Sequence, residues 1–310
     1  MRMLVLGAGA LGGYFGGRLA EAGGDVSFLV RPARAARLAE SGLVIESPFG
    51  AARLDVHVVT EATAGFDAVM LACKAYDLDA GIEAVRPAMA GGAALLPVLN
   101  GLSHIARLQA EFGAASVLGG LCKIQAALSP GGVVRQLNEW RWLTFGEMDG
   151  AMSPRLRAIE AAFAPAKGVV AKAVPDIAQR LWEKLVHLGT SAIGTVLMRA
   201  QVGEIVRAGG SAWLHRVLDR NAAIAAHHGH PMPEAFLAEY RALFADASSA
   251  YATSMLRDIE GGGRSEGEHI LGFLHEAAIR AGVPTEIHEA ALLHARAHEA
   301  RRIGRPASLA

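Results

Sequence analysis

The first chemically suggestive stretch of this chain is Gly7-Ala8-Gly9-Ala10-Leu11-Gly12. It follows the apolar run Met3 to Leu6, and Leu11, Phe15, Leu19 and Ala22 then recur at helical spacing, so the segment reads as strand, tight turn and helix. Gly23-Gly24-Asp25 stops the helix and Val26 to Val30 restores an apolar strand, closing a strand-helix-strand unit of the length a dinucleotide site requires. In such a unit the backbone from Gly7 to Gly12 lines the phosphates. Gly7 makes the bend, Gly9 admits the pyrophosphate and Gly12 lets helix pack on strand. Unpaired N–H groups and the helix dipole favour negative charge there. Arg31 ends the second strand, and no carboxylate lies between Val26 and Ala39. A 2′-phosphate needs a cation at that place, whereas bare ribose hydroxyls take Asp or Glu, so the expected cofactor is NADP(H) with Arg31 as its first contact. Arg34 and Arg37 suit the solvated start of a helix.

Two further polar residues fall where strands end. Lys74 follows the apolar run Phe66 to Ala72, and Asn100 follows Ala93 to Leu99. In a doubly wound sheet ligands lie beyond the carboxyl ends of the strands, which would aim Lys74 at the cofactor and let the Asn100 amide both donate and accept. Position alone also fits a surface lysine and a turn residue before glycine. In the second half, three segments stand out: Leu181-Trp182-Glu183-Lys184-Leu185, Ser254-Met255-Leu256-Arg257-Asp258, and Arg264-Ser265-Glu266 just after three glycines. On spacing alone, Lys184 is equally a lysine snorkelling from an amphipathic helix.

The secondary structure that would carry these groups changes character along the chain. Up to residue 174, strands and helices alternate: helix at Pro32 to Ser41, edge strands Leu43–Ile45 and Leu54–Val58, helix from Asp77 to Met89 and from Leu102 to Phe112, strand from Ser116 to Ala127, a hairpin pair over Gly131 to Gly146 carrying Trp140 and Trp142, helix at Pro154 to Phe163 and strand at Val169 to Val174. From Pro175 the pattern is helical, with starts near Ser211, Pro233, Ser265 and Thr285. The expected fold is α/β, a Rossmann-type dinucleotide-binding domain over residues 1–174 followed by an all-α domain over residues 175–310. Substrate groups would come from the helical half.

Lys plus Arg equals Asp plus Glu at 30 each, so no global field attracts nucleic acid or an anionic membrane. No apolar run approaches the roughly 18–20 residues of a spanning helix. Cys73 and Cys122, the two cysteines, supply neither a disulfide framework nor a metal quartet. The N-terminal segment reads as strand and motif rather than a leader, and the expectation is a cytoplasmic protein without a metal. His227, His228 and His230 read as a solvated helix end, and His294 and His298 as surface residues.

Taken together, GAGALG, Lys74 in CKAYD, Asn100-Gly101, Lys184 in WEKL, Ser254 in TSMLRD and Glu266 in RSE resemble the ketopantoate reductases (2-dehydropantoate 2-reductases), in order and over nearly the whole chain. The resemblance implies NADPH-dependent reduction of a 2-oxo acid to a 2-hydroxy acid on the route to pantothenate and coenzyme A, and suggests a homodimer. It makes Lys184 the general acid, counts Glu266 with it as catalytic, makes Glu266 and Ser254 substrate ligands, and puts Asn100 and Lys74 near cofactor and substrate, with Glu266 also near the cofactor. The chemistry agrees: hydride reaching a ketone carbon leaves negative charge on oxygen, which an ammonium group both stabilises and protonates.

One departure stands out. The family carries asparagines one and two turns after the lysine, where this chain has Leu188 and Ala192. Either His187 and Ser191 compensate in binding substrate, or the substrate is a different, less polar 2-oxo acid. A non-catalytic NADP(H)-binding redox sensor is a further alternative, opposed by the joint presence of Lys184, Ser254 and Glu266. A dehydrogenase of 3-hydroxy acids ranks below both.

Overall fold

A computed structural model describes residues 1–304. The chain divides into two compact units, one of residues 1–100 and 104–178, the other of residues 101–103 and 179 onward. The expected helical domain runs to residue 310, and 305–310 lie outside the described residues.

The first unit opens with β1 (Arg2–Leu6), α1 (Ala10–Glu21), β2 (Asp25–Leu29), α2 (Pro32–Ser41), β3 (Leu43–Glu46), β4 (Ala52–Leu54), β5 (His57–Val59) and β6 (Ala68–Leu71). It continues with α3 (Leu78–Met89), β7 (Ala94–Pro97), α4 (Ser103–Phe112), β8 (Leu118–Lys123), β9 (Ala126–Leu128), β10 (Val134–Gln136), β11 (Trp142–Glu147), α5 (Pro154–Phe163) and β12 (Val170–Ala173). Its centre is a five-stranded sheet in the order β5-β2-β1-β6-β7, parallel throughout.

Strand alternation explains why that sheet is apolar on both faces. Met3, Val5, Phe28, Ala68, Met70, Ala94 and Leu96 join one buried cluster, which α1 covers with Phe15 and Leu19. The intervening Leu4, Leu29, Val69, Leu71 and Leu95 join another, covered by α3 through Ile82 and Val85. Each of the larger side chains among these, Val, Leu, Ile, Phe or Met, contributes about 1.5–3 kcal/mol when fully buried.

The second unit is helical: α6 (Ile177–Met198), α7 (Val202–Arg207), α8 (Ser211–His227), α9 (Glu234–Leu243), α10 (Ser254–Glu260), a π turn at Glu268–Gly272, α11 (Phe273–Ala281) and α12 (Glu286–Ile303). The α6 residues Val186, Ile193 and Val196 are fully buried, as are Leu214, Leu218 and Leu274. A polar thread runs through this interior. Thr190 Oγ1 donates to the Val186 carbonyl (2.7 Å) and accepts from Asn221 Nδ2 (2.9 Å), while Asn221 Oδ1 meets His288 Nε2 at 2.8 Å. It ties α6, α8 and α12 at a position where an unmet polar group would cost about 1–3 kcal/mol. Among the described residues no helix is long and apolar enough to cross a membrane.

Three sequence expectations about strand partners need correction. Leu54–Val58 is not one strand: β4 pairs antiparallel with β3, whereas β5 joins the parallel sheet beside β2. Ser116 to Ala127 likewise divides into β8 and β9, which lie in different sheets. Gly131 to Gly146 is not a hairpin, because β10 pairs with β9 and β3 while β11 pairs with β8 and β12. The hairpin turn is instead Ser129–Gly132, closed by Gly132 N–H donating to the Ser129 carbonyl (2.9 Å). Alternation reports that a segment is extended, and its partner is set by contacts far away in sequence.

Candidate active site

In the first unit, register brings the expected cofactor groups to one edge. Leu6 lies opposite both Leu29 and Leu71, and Leu71 opposite Pro97, so β1, β2, β6 and β7 end level. The glycine turn follows β1, Arg31 follows β2, Lys74 follows β6 and Asn100 follows β7. Gly7 takes φ +94°, a left-handed value that favours glycine, and its N–H donates to the Leu29 carbonyl at 2.9 Å. At Gly12 an added Cβ would stand 2.0 Å from the Gly7 carbonyl oxygen; at Gly9 it would meet nothing within 4 Å. No side chain caps α1 at Gly9. The backbone donors at the start of α1, through Ala10, Leu11 and Gly12, therefore face a space open to an anion. A dinucleotide pyrophosphate fits this cradle.

Arg31 projects into solvent with its side chain 75% exposed, and its Nη2 lies 2.9 Å from Asp77 Oδ2. Asp77 ends a short 3-10 turn (Ala75–Asp77) that Lys74 opens, so the strand-end lysine leads directly to the carboxylate beside Arg31. Sequence proximity could not reveal this pair. The expectation for Arg34 and Arg37 needs correction: they do not merely start a solvated helix. Arg34 donates to the carbonyls of Ala8 and Gly132, and Arg37 to that of Pro130. Burial, then Arg37, pulls the Arg34 pKa down.

The second unit holds the expected substrate groups. Lys184 is half-buried on α6, with His187 and Leu188 one turn on and Ser191 and Ala192 two turns on. Ser191 and Ala192 are fully buried. Farther along α6, Thr195 Oγ1 lies 2.9 Å from Thr253 Oγ1, and Thr253 caps α10 by accepting from Leu256 N–H (3.2 Å). Ser254 is thus the first residue of a helix whose start is pinned to α6. The capping residue is Thr253; a Ser/Thr pair before a helical run was the available signal.

Glu266 is buried and precedes the π turn. Its strand of chain is gripped by α12: Glu299 Oε1 accepts from Ser265 N–H (2.7 Å) and His298 Nε2 meets the Gly263 carbonyl at 2.8 Å. His298 is therefore 8% exposed and structural, against the surface reading, and its neighbour His294 has its pKa lowered chiefly by burial. The grip fixes the segment that presents Glu266.

Rings surround the positions after Lys184. His187 stacks on Tyr240 at 4.3 Å between centroids and an interplanar angle of 22°, and lies 5.4 Å from Tyr251. Phe236 extends the group to Tyr240 at 4.5 Å. Burial pushes the phenol pKa values of Tyr240 and Tyr251 up, so both rings stay neutral. On the other side of α6, Trp182 stacks on His228 and His230 at 5.1 and 5.7 Å, which corrects the solvated reading of those histidines. Burial lowers both their pKa values. Among the described residues no cluster of His, Cys, Asp or Glu could hold a metal.

Comparison with known proteins adds to this geometry. The family model described as Ketopantoate reductase PanE/ApbA matches residues 3–150, and its C-terminal counterpart matches residues 176–299. A Bacillus subtilis protein named Uncharacterized oxidoreductase YkpB is 35% identical over 97% of this chain and 100% of its own length. A 2-dehydropantoate 2-reductase of Halobacterium salinarum is 31% identical over 90% of this chain and 92% of its own. The crystal structure of 2-dehydropantoate 2-reductase from Methylococcus capsulatus superposes with a TM-score of 0.87 at 26% identity, covering 99% of each chain.

Proposed function

We propose, starting from the fact that this chain belongs to the ketopantoate reductase family and is thereby an oxidoreductase acting on CH–OH groups, that it uses NADPH to reduce a 2-oxo acid to a 2-hydroxy acid. The observation that carries this reading is the level edge of the parallel sheet, where an uncapped glycine turn, open at Gly9, stands beside an exposed arginine at the end of β2. Bound there, reduced nicotinamide would supply the hydride. The chain's own groups do the rest. Backbone N–H groups of Gly9 to Gly12 hold the pyrophosphate, Arg31 receives the 2′-phosphate, and Lys74 and Asn100 border the same edge. Lys184 Nζ stabilises the charge that develops on the substrate's keto oxygen and gives it a proton. Ser254 and Glu266 bind the substrate and orient it toward that lysine.

Ketopantoate is the default substrate, and its reduction would place the enzyme on the route to pantothenate. A less polar 2-oxo acid is favoured by a specific observation: Leu188 and the fully buried Ala192 offer no hydrogen bond, and His187 is turned into a ring stack with Tyr240. A hydroxylated substrate left with unmet polar atoms would lose about 1–3 kcal/mol for each. Competitive turnover with NADPH, offering ketopantoate against 2-oxo acids with apolar side chains, tests the choice. Preferred use of ketopantoate supports the default. No oxidation of NADPH by any 2-oxo acid would sink the enzymatic reading.

A further inference from the structure

Arg34 lies in the first turn of α2, and its guanidinium reaches out of that helix to two separate turns. It donates to the Ala8 carbonyl from both Nε (3.2 Å) and Nη2 (2.9 Å), and from Nη2 to the Gly132 carbonyl (3.1 Å). Three residues on, Arg37 Nη1 donates to the Pro130 carbonyl (3.1 Å). The two arginines thus hold the β9–β10 turn from one face of α2, and Arg34 extends the hold to the glycine turn. The fit is close: a Cβ on Gly132, which takes φ +83°, would come within 2.5 Å of Arg34 Nη1.

The Ala8 carbonyl and the Gly9 N–H belong to one peptide plane, and in a trans peptide they point in opposite directions. Gripping the carbonyl with two donors therefore fixes the aim of the Gly9 N–H, away from Arg34. Every described partner of Arg34 is a carbonyl, so its positive charge is not cancelled by a carboxylate and adds to the field at the start of α1.

Building on the cofactor reading above, we propose that Arg34 is a positioning residue of the dinucleotide site: it locks the Ala8–Gly9 peptide so that the Gly9 N–H is preset for the pyrophosphate. It then serves NADPH and NADH alike, unlike Arg31, whose role concerns the 2′-phosphate alone.

Amide hydrogen exchange of the nucleotide-free protein over Gly7 to Gly13, and dissociation constants for NADPH and NADH by nicotinamide fluorescence, test this in Arg34→Gln, Arg34→Lys and Arg37→Gln. Arg34→Gln should speed exchange in the turn and raise both dissociation constants about tenfold, with their ratio unchanged, as expected for losing a charge-assisted fork. Arg34→Lys, which keeps the charge but not the two-pronged grip, should give a loss of about threefold for both, and also serves if the glutamine variant does not fold. Arg37→Gln should bind like wild type. Unaltered exchange in the turn, dissociation constants within twofold of wild type, or a loss confined to NADPH would each overturn the proposal. A wild-type protein binding neither nucleotide would remove the cofactor reading itself, a failure told apart because the exchange comparison is read without nucleotide.

Discussion

Replacing Gly9 and Gly12 by alanine separates what a ligand demands of the turn from what the fold demands. The Cβ added at Gly12 would lie 2.0 Å from the Gly7 carbonyl oxygen, 3.0 Å from Ala72 Cβ and 3.1 Å from Val5 Cγ1. The nearest of these is backbone of the turn itself, which cannot swing aside, so α1 must lift from β1. Overpacking costs about 1–3 kcal/mol, and contact with backbone puts Gly12→Ala at the upper end. At Gly9 the added methyl meets no protein atom, and the residue's φ of −85° is one that alanine adopts. Gly9→Ala should therefore stay within about 0.5 kcal/mol of wild-type stability. In the proposed site its methyl would occupy the approach of the pyrophosphate, and losing one charge-assisted hydrogen bond, worth about 1.5–3 kcal/mol, would weaken NADPH binding by about 10- to 150-fold. Urea unfolding followed by circular dichroism, and titration of NADPH fluorescence, read the two effects separately. A Gly9→Ala protein that binds NADPH as tightly as wild type would show that no ligand passes this close to Gly9, and a Gly12→Ala protein as stable as wild type would show that α1 has room for the methyl.

Arg31→Gln should raise the dissociation constant for NADPH about tenfold while leaving that for NADH nearly unchanged, and Asp77→Asn should tighten NADPH severalfold by removing the carboxylate 2.9 Å from Arg31; equal effects on both nucleotides would contradict this assignment. His288 is fully buried, and burial, followed by Arg220 and His275, pushes its pKa down to about 4. The unfolded chain, titrating near 6.5, binds more protons between the two values, so stability rises with pH across that window and up to about 3 kcal/mol is lost as the pH drops from about 6.5 to 4. His288→Gln should flatten that loss in urea unfolding at pH 7 and 4.5, and an unchanged pH dependence would show that the group is not responsible. Tyr240→Ala, which removes the ring stacked on His187, should lower kcat/KM for apolar 2-oxo acids about tenfold and leave NADPH binding alone; a loss of NADPH affinity would argue against a substrate-side role.

The parallel sheet was legible because its strands carry their own evidence: unbroken apolar runs such as Ala68–Leu71, all four residues buried, and a glycine turn flanked by strand and helix. Short strands were legible as extended chain but not as partners, as β4 and β5 illustrate by parting into different sheets one turn apart. The groups that hold the candidate site together were the least visible. Arg34 reaches Ala8 across 26 residues and Gly132 across 98, Thr195 reaches Thr253 across 58, and Glu299 reaches Ser265 across 34. None of these pairs leaves a local periodicity, since each depends on where distant backbone carbonyls and hydroxyls come to rest. His298 shows the same limit from the opposite side, a polar residue on an outwardly polar helix that is buried because the Gly263 carbonyl needs a donor.

Proton delivery by Lys184 to a 2-oxo acid reduced by NADPH is tested by the rate of NADPH oxidation in wild type and Lys184→Ala at saturating cofactor and substrate. Turnover in the wild type and a fall in kcat of about 100- to 10,000-fold in the variant, with NADPH affinity unchanged, is the predicted result. A variant retaining kcat within tenfold of wild type would contradict it.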